Sequence, residues 1–336
     1  MIYKFIIGVD ISKLKLDIAL RLDSTNFVMR ECLNEEKQIS KNFKTLLKEH
    51  RLKKEDVLIV AENTGNYTNP MTWALVEEGY NLWIACPNQA HYSLGLIRGK
   101  NDKLDAKRLA DYGFRNDDKA KLCELASESL VSLKYLNSEK ELITKQKSML
   151  KGQLTDHKQY VDTLDYKDRS KRHNKTLKVL EVNLKAIDKR ISEIIKNDPQ
   201  LKHQMKLLNS IVGVGPKIAL EVLIATLGFR KFPSAREFSS HVGVAPFEYQ
   251  SGSSIRSKGK TSKRSNRRIK RYLHMGVCSA VHHGKGEFTK YYERKIKEGK
   301  EKMLVLNNLR SKLIHIMFAV IRNNTAYQRD YKALWT

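Results

Sequence analysis

Five residues carry the chemistry that this sequence suggests: Asp10, Glu62, Asp102, Asp105 and Ser251. Asp10 closes the apolar run YKFIIGVD, Glu62 follows a second apolar run, VLIVA, and Asp102 and Asp105 open the helix-like segment DKLDAKRLADYGF three residues apart. Strand ends meet at one edge of a sheet, and a helix places residues i and i+3 on one face, so all four carboxylates have a route to the same edge. Oxygen ligands suit Mg²⁺, or Mn²⁺ in its place. Two such ions shared between carboxylates activate one phosphate oxygen and stabilise another in phosphodiester chemistry. Carboxylates grouped without Arg partners repel one another, and a metal is their natural counter-charge. Taken singly, each has a plainer reading: Asp10 and Glu62 as turn or loop carboxylates, Asp102 as a helix cap, and Asp105 as a charge favouring the positive helix end.

Ser251 precedes Gly252 and a basic run. Arg256, Lys258, Lys260, Lys263, Arg264, Arg267, Arg268, Lys270 and Arg271 follow with no acid among them. A serine hydroxyl in such company can attack phosphorus while Arg256 or Lys258 stabilises the developing negative charge. A Ser-Gly pair is also an ordinary turn. The run itself should bind nucleic acid with strong salt dependence, a solvated basic loop being the alternative. Upstream, LLNSIVGVGPKIALEVL (207–223) has a helix, a Gly-Val-Gly turn and a second helix. Read as a helix-hairpin-helix, it offers backbone N–H groups to a phosphate with Lys217 adding charge; read plainly, it is a tight turn.

The elements that must position these residues are legible in part. Residues 3–22 read as a hairpin turned at Asp10 to Lys13, with alternation at Leu14, Leu16, Ile18, Leu20 and Leu22. Strands at 57–61 and 81–86, each preceded by a helical segment (36–50, 69–79), complete a mixed sheet covered by helices. From about 127 to 200 the chain is charged and nearly free of turn signals. Leu177, Leu180, Leu184, Ile187, Ile191 and Ile194 form a heptad seam. A helix around 127–160, with Leu136, Ile143 and Leu150 seven apart, pairs with it across the polar segment 165–175, within one chain or between two. A second globular region starts near 205.

Charge names the class of partner. Lys and Arg number 63 against 37 Asp and Glu, a formal +26, which points to nucleic acid ahead of membrane or acidic protein. With 336 residues, 41% of them apolar, the length favours two domains over one. Cys32, Cys86, Cys123 and Cys278 lack CxxC spacing and suggest neither a zinc site nor a disulfide framework. The N-terminal apolar run and the later run LIHIMFAVI, flanked by Arg310, Lys312 and Arg322, are too short to cross a bilayer. The expectation is a cytoplasmic protein, nucleoid-associated in a prokaryote, without a membrane partner.

Six segments occur in one order along nearly the whole chain: GVDISK (8–13), AENTGNY (61–67), KNDKLDA (100–106), SIVGVGPK (210–217), GVAPFEYQSGSS (243–254) and TSKRSNRRIKRYL (261–273). In that order they strongly resemble the insertion-sequence 110 family of transposases. The resemblance implies an α/β RNase H-like (RuvC-like) DEDD domain at 1–125, a helical hairpin or coiled coil at 126–204, and a mainly α transposase domain with a catalytic serine at 205–336. It also implies that Asp10, Glu62, Asp102 and Asp105 are the metal-binding tetrad and that Ser251 forms a transient covalent link to DNA. The implied partners are donor and target DNA, a structured bridge RNA that pairs with both, and further copies of the chain in a dimer or tetramer, with serine and tetrad drawn from different subunits. Ser265 stands where the family pattern usually has Gly, a change that touches loop geometry rather than chemistry. Two rival readings remain: a junction-resolving nuclease using the carboxylates and water alone, and a basic RNA-binding scaffold with structural carboxylates.

Overall fold

In a computed structural model of the chain, which describes residues 2–87, 89–90, 101–251, 255–261, 265–283 and 286–328, the N-terminal apolar run forms β1 (Phe5–Ile11). Asp10 lies inside this strand, and the chain turns only after it, into antiparallel β2 (Lys15–Arg21). The turn falls later than the sequence pattern predicts because the Ser12 hydroxyl closes it, accepting from the Lys15 N–H and donating to the Lys15 carbonyl. Leu14 and Leu22, counted in the alternation, lie beyond the strand ends and are exposed. A third antiparallel strand, β3 (Phe27–Leu33), pairs with β2. On the other side β4 (Val57–Glu62) runs parallel to β1, and β5 (Asn81–Ala85) parallel to β4, giving the order β3-β2-β1-β4-β5.

Both faces of this sheet are covered. Helices α1 (Glu36–Glu49) and α2 (Asn69–Glu77) belong to the face that buries Ile7, Val9, Leu16, Ile18 and Ile59. Helix α3 (Asp102–Arg115) covers the opposite face, over Ile6, Leu58 and Val60. Burial on two sides explains why β1 and β4 read as continuous apolar runs. Gly8 makes the α3 contact close: a Cβ there would stand 2.0 Å from the Ala106 carbonyl oxygen and 2.4 Å from the Ala110 nitrogen. The cap of α3 is Asn101, whose side chain accepts from the Lys103 N–H, so Asp102 is the first helical residue and not the cap. These elements make up an α/β unit, Met1–Leu125.

The second compact unit, Ala126–Thr336, is mostly helical. It opens with α4 (Glu128–His157) and α5 (Thr163–Asn197), which pack together within the chain. The polar segment 165–175 is helical and not the connection. Asp162 caps α5 by accepting from the Leu164 N–H, and the chain turns just before it. Leu177, Ile187 and Ile191 of the heptad are buried, beside the partly buried Leu180, Leu184 and Ile194. Then follow α6 (Pro199–Asn209), α7 (Pro216–Thr226), α8 (Ala235–Val242), a hairpin of β6 (Pro246–Ser251) and β7 (Ile255–Thr261), α9 (Arg267–His283), α10 (Glu287–Lys297) and α11 (Lys302–Arg322). By length and composition α11 is apolar enough to cross a membrane. Here it is a core helix: Leu309, Leu313, Ile314 and Met317 are fully buried against α6 to α9.

Candidate active site

Successive strand residues face opposite sides of a sheet. Ile6 and Gly8 of β1 meet α3, so Asp10 shares their side. Leu58 and Val60 of β4 lie on that side as well, and Glu62 continues the parity. Since Val9 pairs with Ala61 in the parallel register, Asp10 and Glu62 come next on neighbouring strands. Asp102 and Asp105 occupy the first turn of the helix laid over this face. Asp10, Glu62 and Asp105 are half-buried and Asp102 is exposed.

The structure adds a fifth carboxylate. Asp17 of β2 pairs directly with Asp10 across the antiparallel register, which puts both side chains on the α3 face. It is 1% exposed; one carboxylate oxygen lies 3.1 Å from Lys15 Nζ, and the other has no hydrogen-bond partner. Asp10 registers the whole group: its carboxyl is pushed up to about 6, first by burial and then by the charges of Asp102, Asp105, Asp17 and Glu62 in that order. The carboxylates are not free of basic neighbours, as the sequence suggested, because Arg108 one turn on from Asp105 donates to it at 2.7 Å.

An all-oxygen donor set of this charge fits a hard divalent cation. Among the described residues, no three His, Cys, Asp or Glu side chains are arranged tightly enough to hold a metal ion as they stand. The group therefore converges in charge without forming a closed ligand shell. Asp10, Glu62, Asp102 and Asp105, with Asp17 beside them, are the carboxylates gathered at this edge.

Ser251 ends β6 and pairs with Ile255, flanking the hairpin tip. Arg256, Lys258 and Lys260 occupy alternate positions of β7, whereas Lys263 and Arg264 lie outside the described residues. Of the basic residues on α9, Arg267 and Arg271 are exposed. Arg268 is used inside the fold. Its guanidinium reaches both oxygens of buried Glu221, the nearest at 2.6 Å, and also Glu141, while Asn137 donates to Glu221 at 2.9 Å. Lys270 donates to the Gly243 carbonyl at 2.7 Å.

In the Gly-Val-Gly turn, Gly213 has φ +86° and lies against α9; a Cβ on it would come within 2.3 Å of the Gly276 carbonyl oxygen. That close crossing accounts for Gly213. Gly215, Pro216 and Lys217 at the start of α7 remain exposed, with Lys217 Nζ 4.7 Å from the centre of the Tyr272 ring.

Comparison with known proteins gives a consistent result. A transposase model of the IS110 DEDD type matches residues 7–160, and a model described as "Transposase IS116/IS110/IS902 family" matches residues 205–293. Over 330 residues the chain is 26% identical to the "Pilin gene-inverting protein" of Moraxella bovis, covering 97% of this chain and 98% of that protein. The protein of the same name from Moraxella lacunata is similar to the same extent. An "Insertion element IS110 uncharacterized 43.6 kDa protein" of Streptomyces coelicolor is 27% identical over 144 residues, 43% of this chain and 34% of that one.

Proposed function

The chain belongs to the IS110 family of transposases and is a DNA recombinase, and from that premise we propose that it exchanges DNA strands with a serine nucleophile and a divalent-metal carboxylate site. The observation that carries this reading is Asp10, half-buried in the field of four other carboxylates at one edge of an α/β sheet. In this reading the first unit is RuvC-like. Asp10, Glu62, Asp102 and Asp105 would hold Mg²⁺, or Mn²⁺ in its place, which would supply positive charge at the phosphate undergoing exchange. Burial and mutual repulsion raise the proton affinity of the Asp10 carboxyl.

The serine step balances as a transesterification. Ser251 Oγ attacks the scissile phosphorus, the Ser–O–P bond forms, and the phosphorus–oxygen bond to the leaving strand breaks. The serine proton leaves with that oxygen as a sugar hydroxyl. Attack by a hydroxyl of the second DNA reverses the process and regenerates the serine. Lys217, Arg256, Lys258, Lys260, Lys263, Arg264, Arg267 and Arg271 hold phosphate backbones, those of a guide RNA included, while base pairing by that RNA delivers sequence choice. Assembly of two DNA partners uses a dimer or tetramer.

The relatives named for inverting a gene favour exchange over simple hydrolysis, since inversion requires both breaking and rejoining of DNA. An excision assay in cells carrying the element tests the reading. Ser251→Ala, Asp10→Asn and Asp102→Asn should each abolish joined product. Cleavage by Ser251→Ala at the parent rate, with Asp10→Asn inactive, would instead establish a nuclease that uses water.

A further inference from the structure

Arg310, on α11, is 6% exposed, and its Nε has no hydrogen-bond partner. Among the described residues no acid pairs with it. This is unusual for arginine: a guanidinium removed from water ordinarily takes a carboxylate with it, since an isolated buried charge is strongly unfavourable. Arg268 in the same unit shows the ordinary solution, with Glu221 and Glu141 around it.

The surroundings of Arg310 are also cationic or donor-rich. Lys270, His274 and Cys278 lie four apart on α9, so they share one helix face. His274 Nδ1 is buried without a partner, and its Nε2 stands 3.7 Å from Cys278 Sγ. Burial lowers the proton affinity of both Lys270 and His274, and the charge of Arg310 lowers it further, which places the three groups in one field. Lys270 Nζ donates to the Gly243 carbonyl at 2.7 Å, and Asn307, one turn before Arg310, donates to the Val244 carbonyl at 2.8 Å. The segment Gly243–Ala245 leads directly into β6. Lys270 and His274 are only half-buried.

We propose that Arg310, His274 and Lys270 form a binding site for a DNA backbone phosphate at the base of the β6–β7 hairpin. A phosphodiester supplies what this group lacks, an anion with several acceptor oxygens, and Arg presents a planar fork of donors suited to it. From this base the six residues of β6 run about 17 Å to Ser251, so the site is separate from the phosphate that the serine attacks and does not depend on that chemistry. Its role as an anchor for the strand on which the hairpin acts rests on the proposed strand exchange, whereas its affinity for DNA does not.

The test uses the full chain and a fluorescein-labelled DNA duplex titrated over a range of salt, with an RNA duplex of the same sequence in parallel. Arg310→Met should weaken DNA binding about tenfold, the scale of one charge-assisted hydrogen bond. The slope of log affinity against log salt should become shallower by about 0.9, as expected when one phosphate fewer is neutralised. Arg310→Lys, which keeps the charge but not the fork, should fall between. Without nucleic acid, Arg310→Met should melt at or above the parent temperature, because it removes an unpaired buried charge. Three results would overturn the proposal: unchanged DNA affinity and salt slope, a weakening confined to RNA, or an Arg310→Met protein that melts below the parent.

Discussion

Replacing Asp10 by Asn should stabilise the metal-free protein while abolishing its activity. The Asp10 carboxyl moves from 3.8 to about 6, driven by burial and four neighbouring carboxylates. At 1.36 kcal/mol per unit the shift corresponds to about 3 kcal/mol of unfavourable ionisation in the folded state as an upper figure. Half-exposure and solvent screening reduce that to about 1 kcal/mol.

The sign follows from proton binding. Below pH 3.8 the carboxyl is neutral in both folded and unfolded chains and contributes nothing. Between 3.8 and about 6 the folded chain holds the proton that the unfolded chain has lost, so stability falls as pH rises. Above about 6 the full destabilisation is in place. Asp10→Asn should therefore gain about 1 kcal/mol at pH 8 in EDTA, a rise of roughly 2–4 °C in melting temperature, and most of the gain should vanish by pH 4.5. Tryptophan fluorescence suits the assay, because Trp73 and Trp83 both lie in the first unit. Added Mg²⁺ should stabilise the parent and leave the variant nearly unchanged. A variant no more stable than the parent at pH 8 without metal would mean that ionised Asp10 does not destabilise the fold.

Two further predictions concern how the site is built. Gly8→Ala sets a methyl group 2.0 Å from the Ala106 carbonyl oxygen and lifts α3, with Asp102 and Asp105, off the sheet; a loss of about 3 kcal/mol in urea unfolding and of recombination should follow. Glu221→Gln leaves the Arg268 guanidinium short of a buried counter-charge and should cost roughly 3 kcal/mol by the same assay, with the melting of the first unit unaffected.

The gathering of Asp10, Glu62, Asp102 and Asp105 at one sheet edge is legible in the sequence because its signals are local: two apolar runs ending in an acid, and two acids three apart opening a helix. Asp17 is not. It sits in an alternating segment whose polar positions read as solvent-facing, and only the helix arriving from residues 102–115 turns that face into an interior. Strand β3 gives no strand signal because its positions are mostly half-buried or exposed and carry no clean alternation. Composition places the turn between α4 and α5 too late, in 165–175, because Lys, Arg and Asp there look like a loop yet are carried easily on a solvated helix; the better signal is Asp162 as a cap. Arg268 stands in an unbroken basic run, and nothing local separates it from its exposed neighbours. Its partner Glu221 is 47 residues away, beyond the reach of any periodicity.

In the proposed function, serine-linked strand exchange depends on the carboxylate group. Its most direct measurement is peptide mass mapping of the protein quenched during reaction with its donor DNA and Mg²⁺. A nucleotide adduct on the peptide containing Ser251, present for the parent and absent for Asp10→Asn, is the predicted result. Joined DNA formed with no adduct, or an adduct that accumulates equally in Asp10→Asn, would contradict it.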